Sequence, residues 1–193
     1  MKTLINQIIS ESILVKQHLL QDHNIIEEIH KIIDVIVNAY QNDKKVLFCG
    51  NGGSAADAQH LAAELSGRFY INRDPLFAEA LHVNSSYMTA VANDYSYEDV
   101  YSRLVKAMGR KGDILFAIST SGNSSNILKA IESAQSQKMI VIGMTGSTGG
   151  KMLQQCDYIL KIPSTDTPRI QESHIMIGHI ICEMVEKSLF PFK

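Results

Sequence analysis

The first forty residues repeat apolar positions with the period of an α-helix. Two such stripes follow one another along the chain. The first comprises Ile5, Ile8, Ile9, Ile13 and Leu20, and the second comprises Ile25, Ile29, Ile32, Ile36 and Tyr40, broadened by Ile26, Ile33 and Val37. The pattern predicts two amphipathic helices in series, an N-terminal helical extension over about 1–42. Their apolar faces have to cover the rest of the chain, a partner subunit, or both.

From residue 45 onward, short apolar runs separated by helical patterns replace the long stripes. The four clear runs are KVLFCG, DILFAIS, MIVIGMTG and DYILKIP, and FAEALHV is a weaker fifth. The helices predicted between them span 54–66, 86–92, 97–108, 124–137 and 150–155. A last helix is predicted from about Arg169 to Ser188, with Pro168 at its entrance. Apolar strands alternating with helices favour an α/β fold, a three-layer α/β/α sandwich on a mainly parallel five-stranded sheet, with 1–193 as a single domain.

Composition narrows the class of protein rather than the fold. A formal net charge of -2 over 193 residues argues against a broad nucleic-acid-binding surface. Cys49, Cys156 and Cys182 are odd in number and lack CxxC spacing, which argues against a disulfide framework or a thiolate zinc site. Polar residues interrupt the apolar N-terminus, so neither a signal peptide nor a membrane span is expected. We therefore expect a cytoplasmic protein with no nucleic-acid or membrane partner.

A glycine-rich loop, GNGGSAAD, follows the first predicted strand. Gly50, Gly52 and Gly53 permit backbone conformations closed to other residues, and the helix start behind them offers N–H groups to an anion. Gly50, Gly52 and Ala55 also satisfy the loose dinucleotide fingerprint GxGxxA, but the next strand ends in HVN rather than in an acidic residue. A tight structural turn is the other interpretation of this loop.

The loop ISTSGNSSN, which follows the strand DILFA, is rich in hydroxyl groups. Five of seven successive positions carry one: Ser119, Thr120, Ser121, Ser124 and Ser125. Capping the next helix needs only one such residue, so the excess favours a phosphate monoester bound without a lysine or magnesium. The nearby TGSTGGKM is not a Walker loop, because Thr145 and Met152 replace its required glycine and hydroxyl residue.

Four further side chains could carry chemistry. His60 and Glu64 are four residues apart and therefore share a helix face, where they could supply a base, two metal ligands or only a surface contact. In the last helix, Gln171 and His179 are separated by roughly 12 Å of axial rise, so only inward-leaning side chains could bring both to one centre. His179 lies among apolar residues, and a core histidine is the alternative interpretation.

Taken together, these segments resemble the phosphoheptose isomerases, also called sedoheptulose-7-phosphate isomerases, of the sugar-isomerase (SIS) superfamily. The resemblance rests, in order, on CGNGGSAADAQHLAAELSGRF, AVANDYSYEDVYSRLVKAMGRKGD, ISTSGNSSNILKAI, GGKM and RIQESHIMIGHII. It implies the Rossmann-like SIS fold and a homotetramer with active sites at subunit contacts. It also implies conversion of sedoheptulose 7-phosphate to D-glycero-D-manno-heptose 7-phosphate through a cis-enediol, in the bacterial heptose biosynthesis that serves lipopolysaccharide.

The resemblance further implies roles for individual residues. Glu64 matches the general base of the family and His179 its general acid. One Zn²⁺ per subunit is implied, with the ligands His60, Glu64, Gln171 and His179. The implied substrate contacts are Asn51, Gly52, Gly53, Glu64, Asn93, Asp94, Ser119, Thr120, Ser121, Ser124 and Gln171. Whether zinc serves the chemistry or only the structure stays open, because metal ligation would constrain Glu64 as a base.

Two other functions compete with this one. A non-catalytic SIS-type adaptor that binds a replication initiator has a tail similar to SLFPFK, but the presence of His60, Glu64 and His179 favours an enzyme. Another SIS activity, such as pentose-phosphate isomerisation or amino-sugar metabolism, is disfavoured by the short chain and by the order of the motifs. Pro168 stands where some family members have Asp, which could alter the rim of the substrate site.

Overall fold

The computed structural model describes residues 1–190. Its strands are β1 (Val46–Gly50), β2 (Ala78–Ala80), β3 (Ile114–Ile118), β4 (Ile140–Thr145) and β5 (Tyr158–Lys161). Its helices are α1 (Lys2–Gln21), α2 (His23–Gln41), α3 (Gly53–Ser66), α4 (Ser85–Asp94), α5 (Val100–Met108), α6 (Ser125–Ser136) and α7 (Thr167–Leu189). Short 3-10 helices occupy Tyr97–Asp99 and Gly150–Gln154. The strands form one parallel sheet in the order β2-β1-β3-β4-β5, which confirms the predicted α/β fold and the two N-terminal helices.

The sheet is buried on both faces, which explains why its strands are continuously apolar. Successive side chains of a strand point to opposite faces. Val46 and Phe48 therefore pack under α2, α3 and α7, while Leu47 and Cys49 pack under α4, α5 and α6. The result is the expected three-layer sandwich, with both layers of helices covering one central sheet.

Local capping sets several helix boundaries. The Asp22 side chain accepts hydrogen bonds from the backbone N–H of Asn24 (2.9 Å) and Ile25 (3.3 Å), so α2 starts directly after α1 ends. Asn84 accepts from the backbone N–H of Tyr87 in the same way and begins α4. The helix predicted over 150–155 is a 3-10 turn in the structure, and the one predicted over 97–108 becomes α-helical only from Val100.

The apolar stripe of α1 is largely uncovered in the protomer. Only Val15 and Leu19 of this helix are buried, whereas Ile5, Ile9 and Ile13 are each at least half exposed. The stripe of α2, by contrast, is buried against the sheet and α7. Most of the predicted apolar face of α1 therefore does not contribute to the core of its own chain.

Polar contacts, beside the burial of Val15 and Leu19, attach α1 to α7. The Ser12 hydroxyl donates to Glu172 (2.6 Å) and Arg169 donates to the carbonyl of Ile8 (3.3 Å). Within residues 1–190, no helix combines the length and the apolarity needed to cross a bilayer.

The three cysteines are free thiols. Cys49 and Cys182 are buried, and Cys156 is partly buried. This agrees with the expectation that the chain carries no disulfide framework.

Candidate active site

The sheet places the two loops predicted from the sequence side by side. β1 and β3 are neighbours, so the loops that follow them leave the same edge of the sheet. The side-chain amides of Asn51 and Asn126 exchange two hydrogen bonds of 2.8 Å and join the loops. Asn126 is buried and was not among the predicted site residues. The sequence motif contains it, but nothing in the motif distinguishes it from the surface polar residues beside it.

The glycine-rich loop makes a close approach to α7. Gly52 has a φ of 56° and precedes the first residue of α3, where no side chain caps the helix. A side chain on Gly53 would collide with the amide of Gln171. Gln171 therefore lies against the first residue of α3.

Residues 119–125, which we call the hydroxyl loop, direct their side chains at one another. The Oγ of Ser119 lies 3.1 Å from the Oγ of Ser124 and 3.5 Å from that of Ser121. Ser124 precedes the first residue of α6, yet its hydroxyl makes no capping hydrogen bond. Helix capping therefore does not account for this serine, and the hydroxyls remain available to a ligand.

A cavity of about 280 Å³ opens beside the hydroxyl loop. Thr120 and Ser121 line it from that loop, and Ile170 lines it from α7. Further hydroxyl groups come from residues that were not among the predicted site residues: Ser147, Thr148, Ser164, Thr165 and Thr167. Among the described residues, no charged side chain lines this cavity. Neutral donors of this kind suit a phosphate monoester, as the loop sequence predicts.

Three titratable side chains converge between α3 and α7. The Nε2 of His60 lies 3.0 Å from the Oε1 of Glu64 and 3.4 Å from the Nε2 of His179. We call these three residues the α3–α7 cluster. The helices approach closely because Gly178 faces Leu61, where any side chain on Gly178 would collide. Sequence spacing predicts the His60–Glu64 pair, but only this packing brings His179 to it.

The α3–α7 cluster has the geometry of a metal site. Its three ligand atoms all lie within 4.8 Å of one another. A tetrahedral zinc ion with ligand bonds of about 2.1 Å needs donors about 3.4 Å apart, close to the two observed separations. Two imidazoles and one carboxylate are also a common catalytic donor set that leaves the fourth position open. The residues present therefore fit a zinc ion.

Asp57 adds a carboxyl group one turn before His60 on α3. Burial raises its pKa to about 6, and the charge of His60 acts in the opposite direction. Its Oδ2 is buried and has no hydrogen-bond partner among the described residues. The sequence reasoning did not single this residue out, because a lone Asp on a helix carries no signal.

Gln171, Asn93 and Asp94 lie apart from the α3–α7 cluster. Gln171 precedes His179 by eight residues on α7, and its amide lies against Gly53 instead. The structure thus places this predicted ligand beside the predicted substrate loops. Asn93 and Asp94 lie exposed at the end of α4, where the Asn93 amide donates to Asp94 (2.9 Å). Among the described residues, neither side chain hydrogen-bonds to either loop.

The core histidine of α7 is His174 rather than His179. His174 is fully buried, with its Nε2 3.3 Å from the carbonyl oxygen of Thr145 and its Nδ1 unpaired among the described residues. Burial lowers the pKa of this imidazole to about 4, although the Thr145 contact acts in the opposite direction. His179 is only half-buried, and its Nε2 faces His60.

The structure describes Pro168, at the beginning of α7, but only part of the tail at the end of this helix. Pro168 occupies the first turn of this helix, which begins two residues earlier than predicted. The tail SLFPFK begins within the helix at Ser188 and Leu189, and its last three residues, 191–193, lie outside the described residues.

Known proteins resemble this chain over nearly its whole length. A model of the SIS domain matches residues 15–146. The chain is 50% identical over 190 residues to a phosphoheptose isomerase of Aneurinibacillus thermoaerophilus, covering 98% of this chain and 96% of that protein. It is 52% identical over 181 residues to phosphoheptose isomerase 2 of Campylobacter jejuni, covering 94% and 90%. The solved phosphoheptose isomerase of Neisseria gonorrhoeae matches with a TM-score of 0.91 and 40% identity, covering 96% of this chain and 98% of that one.

Proposed function

This chain belongs to the phosphoheptose isomerase family of SIS-domain proteins and is a sugar-phosphate isomerase, and from that premise we propose its reaction. The substrate is sedoheptulose 7-phosphate and the product is D-glycero-D-manno-heptose 7-phosphate, within bacterial heptose biosynthesis. The observation that carries the proposal is the convergence of Glu64 and His179 from two helices. The adaptor alternative needs neither residue, and the relatives above are named as isomerases.

The reaction moves a carbonyl group from C2 to C1 without a net change in oxidation. Glu64 removes a proton from C1, a cis-enediol forms, and the proton is returned to C2. His179 moves protons between the oxygens on C1 and C2 and assists opening of the sugar ring. A carboxylate and an imidazole side by side can serve both proton transfers because each group both accepts and donates a proton.

His60, Glu64 and His179 would hold a zinc ion, and their geometry supports one such site in each subunit. When bound, zinc supplies Lewis acidity that stabilises negative charge on neighbouring oxygens. Gln171, the fourth ligand implied by the resemblance, would reach this site only from a different side-chain position or from another subunit. Its present place beside Gly53 supports a role as a substrate contact.

The substrate, we infer, lies across a contact between subunits. α3 advances about 16 Å from Gly53 to Glu64, and α7 advances about 13 Å from Ile170 to His179. We therefore expect the hydroxyl loop and the α3–α7 cluster of one protomer to be too far apart for one seven-carbon sugar phosphate to reach both. Phosphate bound by the loop of one protomer would then present its sugar to the cluster of another.

The exposed stripe of α1 supports the same assembly. Ile5, Ile9 and Ile13 form an apolar face that residues 1–190 leave at least half exposed. Burying this face against other copies of the chain would form a helical bundle, and the homotetramer implied by the resemblance provides such contacts. Asn93 and Asp94, exposed at the end of α4, would contact substrate only from a neighbouring subunit.

The decisive experiment is incubation with sedoheptulose 7-phosphate, with NMR analysis of the sugar product. We expect the aldose with the D-glycero-D-manno configuration, and we expect a chelator to lower the rate in a way that zinc reverses. Sedoheptulose without phosphate is the matched control and should turn over poorly, because it lacks the group that the hydroxyl loop binds.

Ketopentose and ketohexose phosphates, offered at the same concentration, test the other SIS activities. Faster turnover of either one than of sedoheptulose 7-phosphate would mean that the enzyme acts on that class of substrate instead. An absence of turnover with all three phosphates, in folded and zinc-loaded protein, would overturn the enzyme mechanism proposed above.

A further inference from the structure

A buried ion pair joins α7 to the segment that follows α3. The Nε of Arg73 donates to the Oε1 of Glu186 at 2.9 Å, and the two side chains are only 1% and 3% exposed. Arg73 belongs to the segment 67–77 between α3 and β2, and Glu186 lies two turns after His179 on α7. The pair therefore joins the two parts of the chain that carry the catalytic groups.

Arg73 fixes the end of α3. Its guanidinium donates to the backbone carbonyls of Glu64 and Leu65, both at 2.9 Å. These carbonyls lie in the last turn of the helix, where intrahelical partners are missing and a cation is favoured. The hydrogen bond to the carbonyl of Glu64 restrains the backbone from which the catalytic carboxylate extends.

Glu186 fixes the segment that follows α3. Its carboxylate accepts the backbone N–H groups of Phe69 (3.0 Å), Tyr70 (2.7 Å) and Ile71 (3.2 Å). Burial by itself would raise the pKa of Glu186, but these three donors and Arg73 hold the pKa below its usual value. The carboxylate thus remains charged and binds this segment as a nest of N–H groups binds an anion.

The segment held by Glu186 contacts His179. The ring of Phe69 lies 5.9 Å from the His179 imidazole, measured between centroids. One ion pair therefore restrains the α3–α7 cluster in two ways. Arg73 holds the backbone of Glu64, and Glu186 holds the segment whose Phe69 ring contacts His179.

We propose that Arg73 and Glu186 are positioning residues that hold Glu64 and His179 in their reactive arrangement. The inference rests on the proposed isomerase function for its effect on turnover, but not for its effect on the position of His179. A misplacement of about 1 Å in a catalytic group can cost about 100-fold in rate. A simple structural role would instead reduce stability without a specific effect on the cluster.

The test compares Arg73→Lys with Lys45→Met. Arg73→Lys keeps the charge but cannot make the same fork of hydrogen bonds. Lys45→Met breaks another largely buried ion pair, with Asp113 directly before β3, and so perturbs stability away from the cluster. We expect Arg73→Lys to lower kcat about 10-fold to 100-fold with KM for sedoheptulose 7-phosphate nearly unchanged. Lys45→Met should leave both constants near wild type.

Histidine-ring NMR signals supply a readout that needs neither turnover nor metal. The His60 and His179 signals should shift in Arg73→Lys and stay in place in Lys45→Met. Phe69→Leu, which leaves the ion pair intact, should weaken the nuclear Overhauser contacts between the His60 and His179 rings, whose centroids lie 4.9 Å apart. Loss of the Phe69 ring current cannot produce this change, so the variant provides the test if Arg73→Lys fails to fold.

The inference is overturned by equal kcat in wild type, Arg73→Lys and Phe69→Leu, together with unshifted ring signals in Arg73→Lys and unchanged His60–His179 contacts in Phe69→Leu. If wild type itself does not turn over sedoheptulose 7-phosphate, the proposed function fails, and the ring signals alone decide the positioning role.

Discussion

The hydroxyl loop and the α3–α7 cluster are built in opposite ways. The loop is neutral and continuous in sequence, and its side chains hydrogen-bond to their near neighbours. The cluster is made of titratable groups, and His179 reaches His60 across 119 positions of the chain. Neutral hydroxyls can bind an anion but are poor acids and bases, whereas a carboxylate with two imidazoles can move protons. Binding and proton transfer are thus expected to depend on different regions of the molecule.

The strongest way to break this division is Glu64→Gln. The amide keeps the shape of the side chain but cannot accept the carbon-bound proton. We expect kcat to fall by about 10²-fold to 10⁴-fold with little change in the unfolding free energy. The measurement is steady-state kinetics beside urea unfolding. Glu132→Gln, the same change on the exposed face of α6, is the matched control and should leave kcat unchanged. Near-normal turnover by Glu64→Gln would remove this residue from the base role.

In the homotetramer proposed above, subunits of two variants can be mixed to sharpen the result further. Ser121→Asp should abolish binding of the phosphate by like-charge repulsion, and alone it should be inactive. Co-refolding it with Glu64→Gln should restore part of the activity if loop and cluster meet between subunits, since some contacts then pair two intact halves. No recovery in verified mixed tetramers would place both halves of the site in one protomer.

The sequence predicts the hydroxyl loop more completely than the cluster, for a physical reason. Residues 119–125 lie next to one another whatever the rest of the fold does, so their chemistry is visible in the sequence. His60 and Glu64 are also local, at one helical turn. His179 joins them only because Gly178 lets α7 approach Leu61, and residue patterns do not report such packing. Before the structure, only the resemblance to a known family grouped His179 with His60 and Glu64.

Other long-range features were not predicted from the sequence. Ser147 belongs to TGSTGGKM, which the sequence only excludes as a Walker loop, and Thr165 belongs to an ordinary polar loop, so neither was expected to line the cavity beside the hydroxyl loop. Arg73 and Glu186 are separated by 113 positions and look like surface charges until their burial is seen. Periodicity predicted that α1 is amphipathic, but it could not say whether its own chain or another copy covers the apolar face.

A smaller effect is expected from Ser121→Ala in the hydroxyl loop. Loss of one hydrogen bond to a charged group should raise KM for the phosphorylated substrate about 10-fold or more, with kcat within about 3-fold of wild type. Inhibition by inorganic phosphate should weaken by a similar factor. Ser136→Ala, at the far end of α6, is the control and should alter neither constant. A fall in kcat with KM unchanged would mean that Ser121 acts in the chemical step rather than in substrate binding.

The smallest effect concerns the other histidine of α7 and changes stability rather than activity. Because the pKa of His174 is about 4 in the folded chain and about 6.5 unfolded, the unfolded chain binds more protons between these values. The contribution of His174 is therefore fully present above pH 6.5 and is lost as pH falls toward 4. This loss of unfolding free energy amounts to about 3 kcal/mol. Asp57, whose pKa is raised to about 6 in the folded chain, acts in the opposite direction over the same pH range, because there the folded chain binds more protons at this carboxyl group.

Urea unfolding from pH 7 to pH 4 measures this contribution. His174→Gln is expected to flatten the fall in unfolding free energy across this window, whatever its own fixed cost to stability. Ser136→Ala, which changes no titratable group, is the control and should keep the wild-type slope. An unchanged slope in His174→Gln would mean that the buried imidazole does not titrate on unfolding. The difference drawn above between the buried His174 and the half-buried His179 would then not extend to their effect on stability.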